Sequence, residues 1–201
     1  MRRIVTFNNV SADGYFAAEN GGLGWVVPEA QIDKAAADNL GSADTILFGR
    51  RTYEMFESFW PTVITDSPVA PDPHDPGRLS PEIRAVGAWI NQATKLVFSR
   101  TRQDVTWTNS HLLHALDPRE IEALKHEPGR DIMIFGSGTV VSQLTEHGLI
   151  DEYQFVVSPT LLGGGRPLVA GVPAGTRLRL LEATEYPSGN VKLRYARAND
   201  D

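Results

Sequence analysis

Five short runs rich in β-branched and aromatic residues, at 3–7, 45–48, 95–98, 132–135 and 153–157, alternate with segments of helical periodicity along the chain. Such alternation predicts an α/β fold, because each strand must bury its faces against helices and parallel neighbours need long crossovers. Three intervening helices announce their starts with a proline in the first turn beside an acidic residue. Pro28-Glu29 opens one that runs to about Leu40 and closes at Gly41. Ser80-Pro81-Glu82 opens a second, with Ile83, Val86 and Ile90 on one face. Asp117-Pro118-Arg119-Glu120 has capping-box spacing and opens a third, which Pro128-Gly129 stops. A fourth helix is expected from Thr139 to His147. Near the C-terminus, 176–185 and 190–196 read as strands joined by Pro187-Ser188-Gly189-Asn190, so the mostly parallel sheet is mixed and ends in a β-hairpin. A chain of 201 residues is expected to form one domain over 1–201. A Pro- and Asp-rich surface insertion at 62–78 serves either as a substrate lid or as decoration.

Composition removes several function classes. A formal charge of −6 argues against a broad basic surface for nucleic acid, although Arg2/Arg3 and Arg50/Arg51 can form local anion sites. No apolar stretch is long enough to span a bilayer, and the N-terminus passes from Val5 into Asn8-Asn9 without a signal-like apolar region, so a cytoplasmic location is expected. The absence of cysteine excludes disulfides, thiolate nucleophiles and cysteine-held metals. His111 and His114 lack a nearby third ligand, and no metal is expected. Trp60, Trp89 and Trp107 are expected in the core.

Open α/β sheets bind ligands beyond the carboxyl ends of their strands, and three strand exits carry suitable residues. The first is Gly49-Arg50-Arg51-Thr52-Tyr53-Glu54, where glycine permits close backbone approach and arginine and threonine suit phosphate; a tight turn with solvated arginines is the competing explanation. The second is Ser99-Arg100-Thr101, which suits a phosphate monoester such as the 2′-phosphate of NADPH, whereas NADH favours a carboxylate; it is also a common loop sequence. The third is Gly136-Ser137-Gly138-Thr139, whose amides can cradle a pyrophosphate at a helix N-terminus. It matches neither the Rossmann nor the Walker pattern.

Taken in order along the chain, these segments resemble the dihydrofolate-reductase-like superfamily, and within it stand-alone proteins similar to the reductase domain of the bacterial bifunctional deaminase-reductase of riboflavin biosynthesis. The resemblance rests on Ser11-Ala12-Asp13-Gly14, Phe48-Gly49-Arg50-Arg51-Thr52-Tyr53-Glu54, Gly136-Ser137-Gly138-Thr139, Leu149-Ile150-Asp151-Glu152, Pro159 and Leu162-Gly163-Gly164-Gly165, and it spans nearly the whole chain. It implies a dihydrofolate-reductase-like sheet flanked by helices, with NADPH across its carboxyl edge. Gly49, Arg50, Arg51 and Thr52 would then lie near the phosphates, Ser99, Arg100 and Thr101 near the 2′-phosphate, and Gly136, Ser137, Gly138 and Thr139 at the pyrophosphate. The stretch 9–25 would be a mobile loop over the nicotinamide, with Trp25 near the ring and Gly21-Gly22 giving it freedom. Asn9, Asp13, Gly14 and Glu29 fall on the substrate side. The implied chemistry is hydride transfer to a polarised C=N or C=O carbon, and the resemblance also implies a homodimer.

Departures from the family pattern limit the substrate. Folate-reducing members carry a carboxylate second after the proline of the first helix, where this chain has Ala30; Glu29 or Asp33 could substitute from a shifted register, but a plain first-turn role for Glu29 is the preferred reading. Riboflavin-pathway reductases usually carry glutamate before the glycine turn, where this chain reads Ile134-Phe135-Gly136. The cysteine-dependent zinc site of the deaminase partner is absent. Gly163-Gly164-Gly165-Arg166 is read as an inter-strand loop in preference to a phosphate site. The expected function is NADPH-dependent reduction of a small heterocycle, a ribosylaminouracil phosphate or a pterin; the alternatives are a nucleotide-binding module without turnover and a flavin-binding protein.

Overall fold

In the computed structural model, residues 1–38, 40–63, 80–172 and 175–198 are described. Strand β1 (Ile4–Ser11) forms the centre of the sheet, and a short β2 (Tyr15–Ala17) follows one turn later. Helix α1 (Ala30–Asp38) leads through a 3-10 turn (Leu40–Ser42) into β3 (Ala43–Gly49), which passes without a loop into α2 (Arg50–Val63). Then come α3 (Pro81–Gln92), β4 (Thr94–Phe98), β5 (Ser110–Leu113), α4 (Pro118–His126), β6 (Asp131–Phe135), α5 (Gly138–Glu146), β7 (Glu152–Ser158), β8 (Arg166–Pro167), β9 (Leu178–Glu185) and β10 (Val191–Arg197). Eight strands form one sheet in the order β5-β4-β3-β6-β1-β7-β10-β9. Strands β5 to β7 in that order are parallel, and the C-terminal hairpin adds its two strands antiparallel at the β7 edge. β2 and β8 pair separately. The fold is therefore the mixed, mostly parallel sheet with a C-terminal hairpin that the sequence pattern calls for.

Alternation along the strands divides the core in two. On one face Ile4, Leu47, Ile132 and Ile134 pack with Ile121 of α4 and Val140, Val141 and Leu144 of α5. On the other, Ile46, Phe48 and Val97 pack with Tyr53 and Phe56 of α2 and Ile90 of α3. Trp107 is buried in this second cluster, and Trp60 and Trp89 pack against it. Helices start where their caps say: Ser80 accepts from the Ile83 amide at 3.3 Å and Asp117 from the Arg119 amide at 2.8 Å, each with a following proline.

Several boundaries move. α1 begins at Ala30, with Glu29 outside it accepting the Gln31 amide at 2.9 Å, and it ends at Asp38 short of Leu40. β1 continues past Phe7 to Ser11, so Asn8 and Asn9 lie inside a strand. Thr62 and Val63 belong to α2, where Val63 is buried; the remainder of the 62–78 stretch lies outside the described residues.

Ion pairs fasten the amino ends of the parallel strands. Arg2 is buried and donates to Asp44, to the Thr45 hydroxyl at 2.6 Å and to the Arg130 carbonyl at 2.7 Å. Lys125 of α4 donates to Asp151 at 2.7 Å, whose Oδ2 also accepts the Ile4 amide at 2.7 Å. Glu152, with its side chain 2% exposed, lies between Arg194 at 2.7 Å and Arg3. Burial alone would raise its pKa, but hydrogen bonds from Arg194, Arg3 and Gln154 outweigh burial and hold it at about 2. Lys95 is fully buried in β4; its ammonium donates to the carbonyls of Asn91, Ala93 and Thr108 at 3.2, 2.8 and 3.0 Å and lies 4.5 Å from the Trp107 ring centroid. Burial pushes it down, to about 8, which leaves it charged at neutral pH.

Two stability predictions follow from these buried charges. Because the folded pKa of Glu152 is depressed, its contribution is complete above the unfolded value near 4.5 and is lost as pH falls from there toward 2. Allowing for the half-exposed guanidinium groups, roughly 2 kcal/mol should disappear over that window. Urea midpoints of the wild type at pH 7, 5 and 3 should show the drop, and an Arg194→Met variant should show a shallower one. Lys95→Met takes the ammonium donor from the Ala93 and Thr108 carbonyls, while the Asn91 carbonyl keeps the Asn109 amide at 3.4 Å, and should cost about 2 kcal/mol in the same assay at pH 7; an unchanged midpoint would contradict this account of β4.

Candidate functional site

The carboxyl ends of β1, β3, β4 and β6 open into one cleft of about 1350 Å³. The three strand exits singled out in the sequence meet there. Gly49, Arg50, Arg51 and Thr52 come from the β3–α2 junction, Ser99, Arg100 and Thr101 from the end of β4, and Gly136, Ser137, Gly138 and Thr139 from the β6–α5 turn.

Two of these exits are hydrogen-bonded to each other. The Gly49 amide donates to Ser137 Oγ at 2.8 Å, and the Ser137 amide donates to Thr52 Oγ1 at 3.1 Å. Gly136 and Ser137 both adopt left-handed backbone, with φ of 55° and 58°; at Gly136 a side chain would also lie 3.3 Å from Thr52 Oγ1. With its hydroxyl committed to Gly49, Ser137 does not cap α5. First-turn amides have no partner within a helix, so those of α5 are left to the cleft, where Gly138 and Thr139 form the wall. An uncapped helix N-terminus carries partial positive charge and suits an anion. Arg50 forms a half-exposed ion pair with Glu54 one turn on, at 3.0 Å, and Arg51 stands exposed beside it.

At the β4 exit, Ser99 is buried, and its hydroxyl accepts the amides of Thr101 at 3.3 Å and Arg102 at 3.0 Å. Ser99 therefore shapes the turn, while Arg100 and Thr101 are exposed along the cleft. Arg102 turns away from it, donating to Glu57 at 2.7 Å with its guanidinium 4.8 Å from the Tyr53 ring centroid.

The other end of the cleft lies between β1, α1 and β7. Asn9 and Glu29 line it. The Glu29 carboxylate accepts the amides of Gln31 and, at 3.3 Å, of Ser188 at the hairpin tip. Fully buried Asn190 completes that joint, donating to the Val27 carbonyl at 2.9 Å and accepting the Ser158 hydroxyl at 3.0 Å. Asp13, Gly14 and Trp25 are not among the lining residues. Asp13 accepts the Ser11 hydroxyl at 2.6 Å and the amides of Leu162 and Gly163 at 3.1 and 2.7 Å. The Ser11 hydroxyl first, and then these amides, hold its pKa below the usual carboxylate value. Asp13 thus clasps the glycine-rich loop 162–165 to the end of β1, and Gly14, at φ 90°, completes the turn. Trp25 is half-buried and donates its indole N–H to the Gly22 carbonyl at 3.2 Å.

Sequence reasoning passed over two lining residues. Arg166, read as part of a loop, is half-buried at the cleft and donates to the Glu19 carbonyl at 3.4 Å. Asn8 is 3% exposed, and neither its Oδ1 nor its Nδ2 finds a hydrogen-bond partner among the described residues; the same holds for Thr6 Oγ1 on the same strand. Burying such groups unpaired costs about 1–3 kcal/mol each. The signal for Asn8 was an amide side chain following directly on an apolar β run. Among the described residues no group of three histidine or acidic side chains is placed to hold a metal, and no helix is long and apolar enough to cross a membrane.

Known proteins share this architecture. The uncharacterized protein YyaP of Bacillus subtilis is 28% identical over 96% of this chain and 94% of its own length. A pyrimidine reductase-like protein of Corynebacterium diphtheriae superposes with a TM-score of 0.65 at 15% identity, covering 99% of this chain and 93% of that one. Dihydrofolate reductase of Enterococcus faecalis, complexed with NADP(H), superposes with a TM-score of 0.59 at 11% identity, covering 98% and 97%. The fold is thus dihydrofolate-reductase-like. The model of the family described as RibD C-terminal domain matches residues 2–192, and the chain belongs to that family.

Proposed function

We propose that the protein is an NADPH-dependent reductase acting on a small heterocycle of the pyrimidine or pterin type. The observation that carries this is the convergence of three phosphate-suited strand exits in one cleft, with the uncapped first turn of α5 in its wall. The residues present fit the dinucleotide. Gly138 and Thr139 offer amides to a pyrophosphate, Arg50, Arg51 and Thr52 offer donors beside it, and Arg100 and Thr101 offer a cation and a hydroxyl to a 2′-phosphate with no carboxylate in that turn. When bound, the nicotinamide supplies the hydride. The chain supplies alignment: β1 and β6 form the floor, α1 borders the far end, and the apolar side chains of Phe7, Val27 and Val156 help to keep water out. Glu29, with backbone amides on both oxygens, positions the hairpin against α1. The family match and the NADP(H)-bound structural relative support the same reading.

Calorimetric titration with NADPH and NADH at fixed salt tests it. The wild type should prefer NADPH. Arg100→Ala should weaken NADPH about tenfold, the loss of one charge-assisted contact, and leave NADH unchanged. No heat with either dinucleotide would end the reductase reading. Tight NADPH binding without its oxidation by any uracil or pterin derivative would point instead to a binding module without turnover.

A further inference from the structure

The central strand carries two adjacent asparagines that face opposite sides of the sheet. Asn9 lies on the Phe7 side, where Phe7 meets Phe135 edge-on with ring centroids 6.2 Å apart. Asn8 lies on the side of Ile4 and Val10, which pack with the cluster containing Val140, Val141 and Leu144 of α5. In register it stands one residue beyond the Phe7–Phe135 pair, level with Gly136 at the start of the α5 turn. An amide at this position is costly, because strand neighbours on that face contribute Ile134, Tyr153 and Phe155. Yet Asn8 lines the cleft, 3% exposed, with its donor and its acceptor both unpartnered among the described residues. Asn190, also buried, has every polar atom engaged, so the unengaged state of Asn8 is particular to its place.

We propose that the Asn8 side chain recognises a carboxamide-type edge, –C(=O)–NH–, on the molecule held in the cleft. Nδ2–H donates to the carbonyl oxygen and Oδ1 accepts from the adjacent N–H, a cyclic pair that satisfies both groups at once. Both amide atoms are shut off from solvent, so the ligand meets them only when the side chain swings toward the cleft about χ1 and χ2 together. Two molecules of the proposed reaction present that edge: the carboxamide of a nicotinamide ring and the lactam of a pyrimidine or pterin. The inference rests on the reductase reading and assigns Asn8 a specificity role within it.

The test uses the full chain as wild type and as Asn8→Leu, which keeps the branching at Cγ and removes both polar atoms, with the smaller Asn8→Val beside it to control for the added bulk of leucine. If the amide exists for a ligand, its replacement by an apolar group should hold or raise the thermal midpoint, since an unsatisfied buried group is removed. Binding is then measured by calorimetry with NADP+, with 2′-phospho-ADP-ribose, which lacks the nicotinamide, and with uracil and a pterin on protein saturated with NADP+. A loss of about tenfold toward NADP+, with 2′-phospho-ADP-ribose within twofold, supports the inference and identifies the nicotinamide carboxamide. A similar loss confined to uracil or the pterin supports it and identifies the lactam. Affinities within twofold for every probe overturn it, leaving Asn8 to a buried water. A lowered thermal midpoint with parallel weakening of every probe, 2′-phospho-ADP-ribose included, also overturns it in favour of a structural role. If the wild type binds NADP+ but the variant binds it equally and no heterocycle distinguishes them, only this inference fails. If the wild type binds no dinucleotide at all, the reductase reading fails and this one with it.

Discussion

The cleft depends on two hydrogen bonds exchanged between neighbouring strand exits, Gly49 N–H to the Ser137 hydroxyl and Ser137 N–H to the Thr52 hydroxyl. They bind the start of α2 to the start of α5 across the parallel β3–β6 pair. Ser137 can serve both only because its backbone is left-handed, which aims its amide toward α2 while its side chain reaches back to Gly49. The cost is an uncapped helix, and that uncapped turn is what gives the cleft its positive wall. A serine hydroxyl spent on α5 as an ordinary cap would take up one of those amides and withhold it from a ligand.

The two edges of the parallel sheet are organised for different tasks. At the amino edge, Arg2, Arg3, Lys125 and Arg194 engage Asp44, Glu152 and Asp151, and each pair has one buried member. At the carboxyl edge, Arg51 and Arg100 stand exposed, and Asn8 has no partner among the described residues. Rigidity at one edge allows unfinished polar business at the other, because local strain and unsatisfied groups persist only where the surroundings over-determine the backbone.

Much of this was legible in the chain. The β-rich runs, the Ser80 and Asp117 caps and the C-terminal hairpin follow from periodicity and local chemistry, which depend on neighbours in sequence. The glycine- and cation-bearing strand exits were legible for the same reason. What escaped depends on geometry between distant segments. Helix α2 begins at the residues that otherwise suggest a turn, because β3 enters it with no connecting loop. The second half of β1 was hidden by Asn8 and Asn9, which break the apolar pattern although the strand runs on to Ser11. Ser99 and Ser137 read as phosphate ligands in one dimension; in three their oxygens also accept backbone amides and so shape the turns, which leaves each O–H free to donate. Asp13 looks like a site residue and is engaged by amides of residues 162 and 163, some 150 positions away.

The hairpin joint carries a consequence for how the polypeptide is made. Val27 and Glu29 meet Asn190 and Ser188 across 163 and 159 residues, and β10 must slot in between β7 and β9 to bring them together. The interlocked turns at Gly49 and Ser137 need only the chain up to α5. During synthesis the phosphate-suited half of the cleft can therefore be complete while α1 still lacks the partner that fixes its first turn. Contacts this distant in sequence form late, since the intervening loop must be closed before they repay its entropy. The end of the cleft beside α1 is therefore the last part to acquire its shape, and in a nascent chain the phosphate-suited end is in place before it.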